Sequence, residues 1–357
     1  MAEQREYSVG QHGNPYKDWQ KEEGIPAITG YYIKDMNEVE VKPWARKGGK
    51  GSFVNLIGAE EANDCYVCEI APGQSLKPQR HLFEEVIYIV KGRGATTIWN
   101  EGGKKQTFEW QEGSIFSPPL NAWHQHFNGS GDNPARYLAV TSAPVQMSLF
   151  HSKEFIFNNK FVFKDRFSGE EGYFSGKGKS VGVRIWESNF IPDVRVFKLQ
   201  EYKERGAGGT NIRFHLSENA LNGHVSEFPV GTYKKGHRHG PGAHVIIVGG
   251  KGYSLMWPEG AEKIKIDWQE NSMFVPPDRW FHQHFNSGTT PARYLALHWV
   301  SHKYAISSRE YKGIEDVEQG GDQIEYTNQD PSIHELFTKE LARVGLTPRM
   351  DAFYKKK

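Results

Sequence analysis

The chain is short of cysteine, of net charge and of long apolar runs. Two cysteines in 357 residues, Cys65 and Cys68, cannot build a disulfide framework. Their CxxC spacing suggests redox or zinc chemistry. They stand, however, in DCYVCEIAP, a strand-like segment where residues three apart point to opposite faces. With no second CxxC to complete a zinc site, the pair reads as structural. Lys and Arg number 44 against 43 Asp and Glu, a formal charge of +1. That balance leaves no basic excess for phosphates and argues against a dedicated nucleic-acid binder. No run approaches the roughly 18 apolar residues of a membrane span, and mean hydropathy is −0.66. The polar start, MAEQREYSVGQHGNPYKDW, has no apolar h-region, so a reduced, cytoplasmic protein is expected. Aromatic residues, by contrast, reach 13% and supply too much buriable surface for a disordered chain.

What the chain does contain is a repeat. Residues 73–94, GQSLKPQRHLFEEVIYIVKGRG, and 231–252, GTYKKGHRHGPGAHVIIVGGKG, align without a gap at an offset of 158. The same offset pairs Trp110 with Trp268, Pro118-Pro119 with Pro276-Pro277, and HQHFN at 124–128 with HQHFN at 282–286. After a one-residue slip, PARYLA at 134–139 meets PARYLA at 291–296. The protein is a tandem duplication.

Each repeat consists of short Val-, Ile-, Tyr-, Phe- and Trp-rich segments punctuated by Gly, Pro and Asn, the pattern of antiparallel all-β domains. Each is the size of one small barrel or jelly roll. The expected organisation is a polar arm with aromatic anchors (1–52), a first barrel (53–145), a connection (146–206), a second barrel (207–302) and a tail (303–357) with a short helix over 332–345. Residues 169–182 read as an exposed turn-rich loop. FSGKGKS at 174–180 fails as a phosphate loop because the required first glycine is Tyr173. The sequon at Asn128 is discarded for want of a secretory route.

Histidine is the unusual count, 15 residues, and they cluster. His237 and His239 share a face by strand alternation. His244 opens the apolar run VIIV after a short turn, and His282 opens a strand after Pro276-Pro277. Four converging neutral imidazoles suit Fe, Cu, Ni or Zn.

Gly231-x5-His237-x-His239-x4-His244 followed by Gly250 resembles the first cupin motif, G-x5-H-x-H-x3–4-E-x6-G. Pro277-x4-His282-x3-Asn286 resembles the second. The resemblance covers both repeats and implies the two-domain branch of the cupin superfamily: an all-β fold of tandem jelly-roll barrels. Carried over by position, the implied metal ligands are His237, His239, His244 and His282. Two departures stand out. His244 replaces the family's glutamate, giving an all-nitrogen site, and Arg279 replaces the second motif's glycine.

The first repeat is an internal control. The offset puts Gln79, His81, Val86 and His124 at the places of His237, His239, His244 and His282. Only two imidazoles remain, so this barrel reads as degenerate. Counting from His81 by the family motif makes Glu85 a third donor, and a second site at His81, Glu85 and His124, with Gln79 assisting, stays open. His284 and Asn286 recur as His126 and Asn128, and Glu227 and Arg238 as Glu69 and Arg80, which favours structural roles for them. His224, His284 and His298 are the pocket candidates, with Trp257, Phe274, Trp280, Phe281 and Phe285 as apolar lining.

The resemblance implies an Fe(II)-dependent dioxygenase that brings O2 to a small organic molecule, an aromatic or phenolic acid. Two readings stand against it. One is a non-redox lyase, isomerase, cyclase or decarboxylase with Zn, Mn, Ni or Cu as Lewis acid. The other is a metal-stabilised binding protein without turnover. A homo-oligomer, most simply a dimer, is expected because the arm's rings need a surface to cover them.

Overall fold

The structure, a computed structural model, describes residues 13–59, 61–304 and 313–354. In the first repeat, Gly49–Leu56, Asp64–Ile70, Ala135–Thr141 and Glu85–Lys91 lie side by side in a large sheet. Trp123–Asn128, Arg93–Trp99 and Gln106–Gln111 form a small one. The second repeat rebuilds the arrangement. Thr210–His215, Leu221–Phe228, Ala292–Trp299 and His244–Gly249 make the large sheet. The small sheet runs through Ile264–Gln269, Lys251–Trp257, Phe281–Phe285 and Gly236–His237. Each unit is thus a two-sheet jelly roll. Among the described residues no helix is long and apolar enough to cross a membrane.

The two large sheets are apolar on both faces because both faces are covered. In Glu85–Lys91, Ile87 and Ile89 point into the first jelly roll, whereas Val86, Tyr88 and Val90 point at the second repeat. In His244–Gly249, Val245 and Ile247 face inward, and Ile246 and Val248 join Val86 and Tyr88 in the seam. Cys65 lies in that seam and Cys68 inside the first jelly roll, on opposite faces, both free thiols.

Each repeat also lends its leading segment to the other. Tyr32–Ile33 pairs with Met273–Phe274 of the second repeat, and Phe190–Ile191 pairs with Ile115–Phe116 of the first. The two lent segments are themselves 158 residues apart, so the duplication reaches into the arm. Ser272 Oγ donates to Lys34 O and Ser114 Oγ to Pro192 O, each at 2.6 Å. Arg136 fastens one segment through the carbonyls of Met36, Asn37 and Val39, at 2.6–3.1 Å. Arg293 holds Val194 O at 2.9 Å and Phe197 O at 3.1 Å in the other.

The arm corrects an expectation. It contains a helix, Pro15–Glu23, with Asn14 as N-cap. Tyr16, Trp19 and Trp44 are buried within the first repeat's own core, where Trp19 and Trp44 meet Phe53 edge-on at 5.2 and 5.4 Å. These three rings need no second copy to cover them, whereas Tyr32 is exposed. Residues 169–182 are likewise less loop-like than expected: Phe174 is buried and stacks on Phe108 at 4.3 Å, and Lys179–Gly182 is a sheet-edge strand. At the other end, the helix Pro331–Ala342 is capped by Asp330 and buries Ile333, Phe337 and Leu341 on the outer face of the second small sheet.

Candidate metal centres

Strand register builds the second-repeat site. His237 and His282 sit directly opposite each other across antiparallel strands, and His239 follows two residues on. Donor atoms of all three lie within 4.8 Å of one another. Each Nδ1 faces a main-chain carbonyl: Lys235 O at 3.0 Å, Gly240 O at 2.7 Å and Trp280 O at 3.2 Å. A ring that donates from Nδ1 carries its lone pair on Nε2, so three Nε2 atoms face one point. Burial holds all three imidazoles below the ordinary histidine range, and they are neutral as ligands must be.

His244 does not join them. It stands one residue past the ligand position, and in a strand a slip of one residue moves a side chain to the opposite face. The offset of 158 places Ala243 opposite Glu85, so the second repeat has no carboxylate at that position. His244 instead lies fully buried in the seam, its donor atom within 4.8 Å of those of Asp64 and Cys65. The gap-free alignment, followed literally, carried this signal: it set His244 against Val86, a seam residue.

The first repeat brings together His81, Glu85 and His124. His81 Nε2 lies 3.3 Å and His124 Nε2 3.7 Å from Glu85 Oε2. Both Nδ1 atoms again face carbonyls, Phe83 O and Ala122 O. Both Nε2 atoms and Glu85 Oε2 are buried without a hydrogen-bond partner, as is Gln79 Nε2. Three lone-pair-bearing atoms aimed at one another in a dry interior repel unless a cation sits between them. The donor set therefore fits a divalent metal. Glu85 Oε1 accepts from Tyr66, whose hydroxyl accepts from Lys47 Nζ at 2.7 Å. Burial would raise the Glu85 carboxyl, but Lys47, His81 and His124 together hold it well below the carboxylate range.

Of the pocket candidates, His224 Nδ1 and His298 Nε2 meet at 3.1 Å, and the His298 ring lies 6.2 Å from that of His239. His224, His239 and His298 are half-buried, so this site retains contact with solvent, whereas the first-repeat trio is closed. His284 Nδ1 pairs with Ser254 Oγ at 2.8 Å, which accepts from Trp268 at 2.9 Å. His126, Thr96 and Trp110 repeat that triplet at the same distances, which makes it scaffold. The expected apolar lining divides by alternation. Phe274 lies in the interior cluster with Phe228 and Tyr294, and Trp280 packs against it. Trp257, Phe281 and Phe285 face outward onto the C-terminal helix.

Sequence reasoning missed Lys234. It is 1% exposed and stands where the first repeat has Leu76. Its Nζ lies over the Phe228 and Tyr294 rings at 5.6 and 5.2 Å and makes no ion pair or hydrogen bond among the described residues. Burial and then Arg205 push it down to about 7. Reading the offset at every lysine would have found it.

Residues 66–141 match the family model described as a cupin domain. The chain is a two-domain cupin in fold. Its sheets superpose on the oxalate decarboxylase of Lactobacillus farciminis in complex with formate, with a TM-score of 0.51 at 14% identity over 87% of this chain and 97% of that one. A mutant oxalate decarboxylase of Bacillus subtilis gives 0.50 at 15% identity, over 78% and 79%. Among curated proteins, auxin-binding protein 4 of Zea mays is 24% identical over 120 residues, 31% of this chain and 58% of the relative. A 5-aminosalicylate 1,2-dioxygenase of Comamonas sp is 28% identical over 85 residues, 24% of this chain and 21% of the relative. The chain thus spans less than two thirds of either curated relative.

Proposed function

We propose that this cupin is a metal-dependent oxygenase of a small organic acid, with His237, His239 and His282 as ligands of Fe(II). The observation that carries this reading is Ala243. Three neutral imidazoles bring their donor atoms within 4.8 Å of one another, no carboxylate joins the group among the described residues, and the remaining directions are left to reactants. Fe(II) held there supplies redox chemistry with O2 and positions at which two reactants meet. The rest belongs to the chain. Lys234 offers an uncompensated cation to a substrate carboxylate, and Phe228, Phe274 and Tyr294 exclude bulk water around it. The His224–His298 pair, one imidazole donating to the other, can take up or return a proton beside His239. The relative named as a 5-aminosalicylate 1,2-dioxygenase supports an aromatic acid as the substrate class.

A second reading, a non-redox decarboxylase or other lyase, draws on the first-repeat trio, whose Glu85 oxygen suits Mn or Zn. Elemental analysis of protein purified without added metal, with turnover assayed with and without O2, separates the two. Iron and O2-dependent turnover are expected, and His282→Ala should remove one equivalent of metal together with activity. His81→Ala should remove a separate equivalent. Zinc or manganese with turnover that ignores O2 overturns the oxygenase reading.

A further inference from the structure

We infer that Asp64, Cys65 and His244 form a further divalent-metal site, of the kind that takes zinc, in the seam between the two jelly rolls. Their donor atoms lie within 4.8 Å of one another, and all three residues are buried. His244 Nδ1 meets Gly242 O at 3.1 Å, which leaves the lone pair on Nε2. That atom is fully buried and has no hydrogen-bond partner. Asp64 and Cys65 are neighbours on one strand and would ordinarily point apart. Asp64 Oδ1, however, accepts from the Cys65 main-chain N–H at 2.9 Å, and the carboxylate, which also pairs with the Tyr16 hydroxyl, keeps a donor atom within 4.8 Å of the thiol. Cys65 Sγ reaches Val54 O at 3.3 Å. The neighbouring Asn63 donates from Nδ2 at 2.8 Å to the same Gly242 carbonyl, and its Oδ1 is buried without a partner.

The duplication tests whether the seam needs these groups to close. At the corresponding positions the other repeat has Asn222, Gly223 and Val86, none of them charged and none a thiol or imidazole. Packing alone is therefore met without the trio. A divalent cation held by one carboxylate, one thiolate and a neutral imidazole leaves no net charge in the seam. Cys, His and Asp are the donors zinc prefers.

Cobalt(II) titration of the full chain, stripped of metal and kept reduced, tests this site apart from both imidazole centres, because only a thiolate gives a near-ultraviolet sulfur-to-cobalt charge-transfer band. The band is expected in the wild type and in Cys68→Ser, and also in His282→Ala, where the imidazole centre has lost a ligand. It should vanish in Cys65→Ser. Asp64→Asn keeps the thiol and should weaken the cobalt affinity read from the band by roughly tenfold or more. No sulfur band in the cobalt-loaded wild type, or a band that survives Cys65→Ser, overturns the inference. So does an Asp64→Asn titration that superposes on the wild type.

Discussion

A single residue step decides the chemistry of the second-repeat site. Glu85 and Ala243 occupy one position in the two jelly rolls, and His244 lies on the far side of the same strand. Lys234 is the other residue-scale departure, an ammonium where the sister repeat buries leucine. A buried cation without an acid partner costs stability until an anion arrives. Lys234→Met should therefore raise the unfolding midpoint of the ligand-free protein in a thermal melt. It should also weaken salicylate binding by about 1.5–3 kcal/mol, the range for hydrogen bonds to a charged group, and leave salicylamide unaffected. Calorimetry that finds both ligands equally affected would remove Lys234 from the substrate site.

Two structural elements hold the strands that carry these residues. In each small sheet a tryptophan ring crosses a glycine: a Cβ at Gly94 would lie 2.0 Å from Phe127 O and 2.5 Å from the Trp110 ring. At Gly252 it would lie at the same distances from Phe285 O and the Trp268 ring. Both obstacles are fixed, one of them main chain. Gly94→Ala and Gly252→Ala should each destabilise the fold by about 1–3 kcal/mol in urea titrations. A negligible cost at either would mean that the tryptophan can move aside. The lent segments are the second element. Arg136 donates to three carbonyls of the segment at 36–39 and to Glu69 at 2.7 Å. Arg136→Met strands those acceptors and should cost about 2–3 kcal/mol. Hydrogen exchange at residues 32–39 should rise before exchange in the sheets does.

For the molecule as a whole, the exchanged segments and the shared apolar seam make the two repeats one cooperative body. The buried trio at His81, Glu85 and His124 leaves orphaned lone pairs inside it. Metal that binds the folded chain more tightly than the unfolded one stabilises it by about 2.7 kcal/mol at a free concentration one hundred times Kd. Prolonged chelation should therefore lower the unfolding midpoint of the wild type, and it should lower that of His81→Ala by less. Equal shifts in the two proteins would mean that the first-repeat trio takes no metal.

Periodicity and duplication were legible in the chain itself, because short-range alternation and a long gap-free offset survive without coordinates. They gave the all-β class, the two related jelly rolls, the C-terminal helix and the convergence of His237, His239 and His282. The opposite-face placement of Cys65 and Cys68 follows from the same alternation. Other features needed the tertiary structure. Which face of His244–Gly249 looks inward depends on what packs on each side, and a family motif with a variable gap leaves that one-residue choice open. The rings of Tyr16, Trp19 and Trp44 are covered by Phe53 and its neighbours, and the lent strands cross to the opposite repeat. Both contacts join residues far apart in sequence. The Asp64–Cys65–His244 cluster is the extreme case. Its members come from different repeats, and only the docking of two large sheets brings them within a ligand's reach.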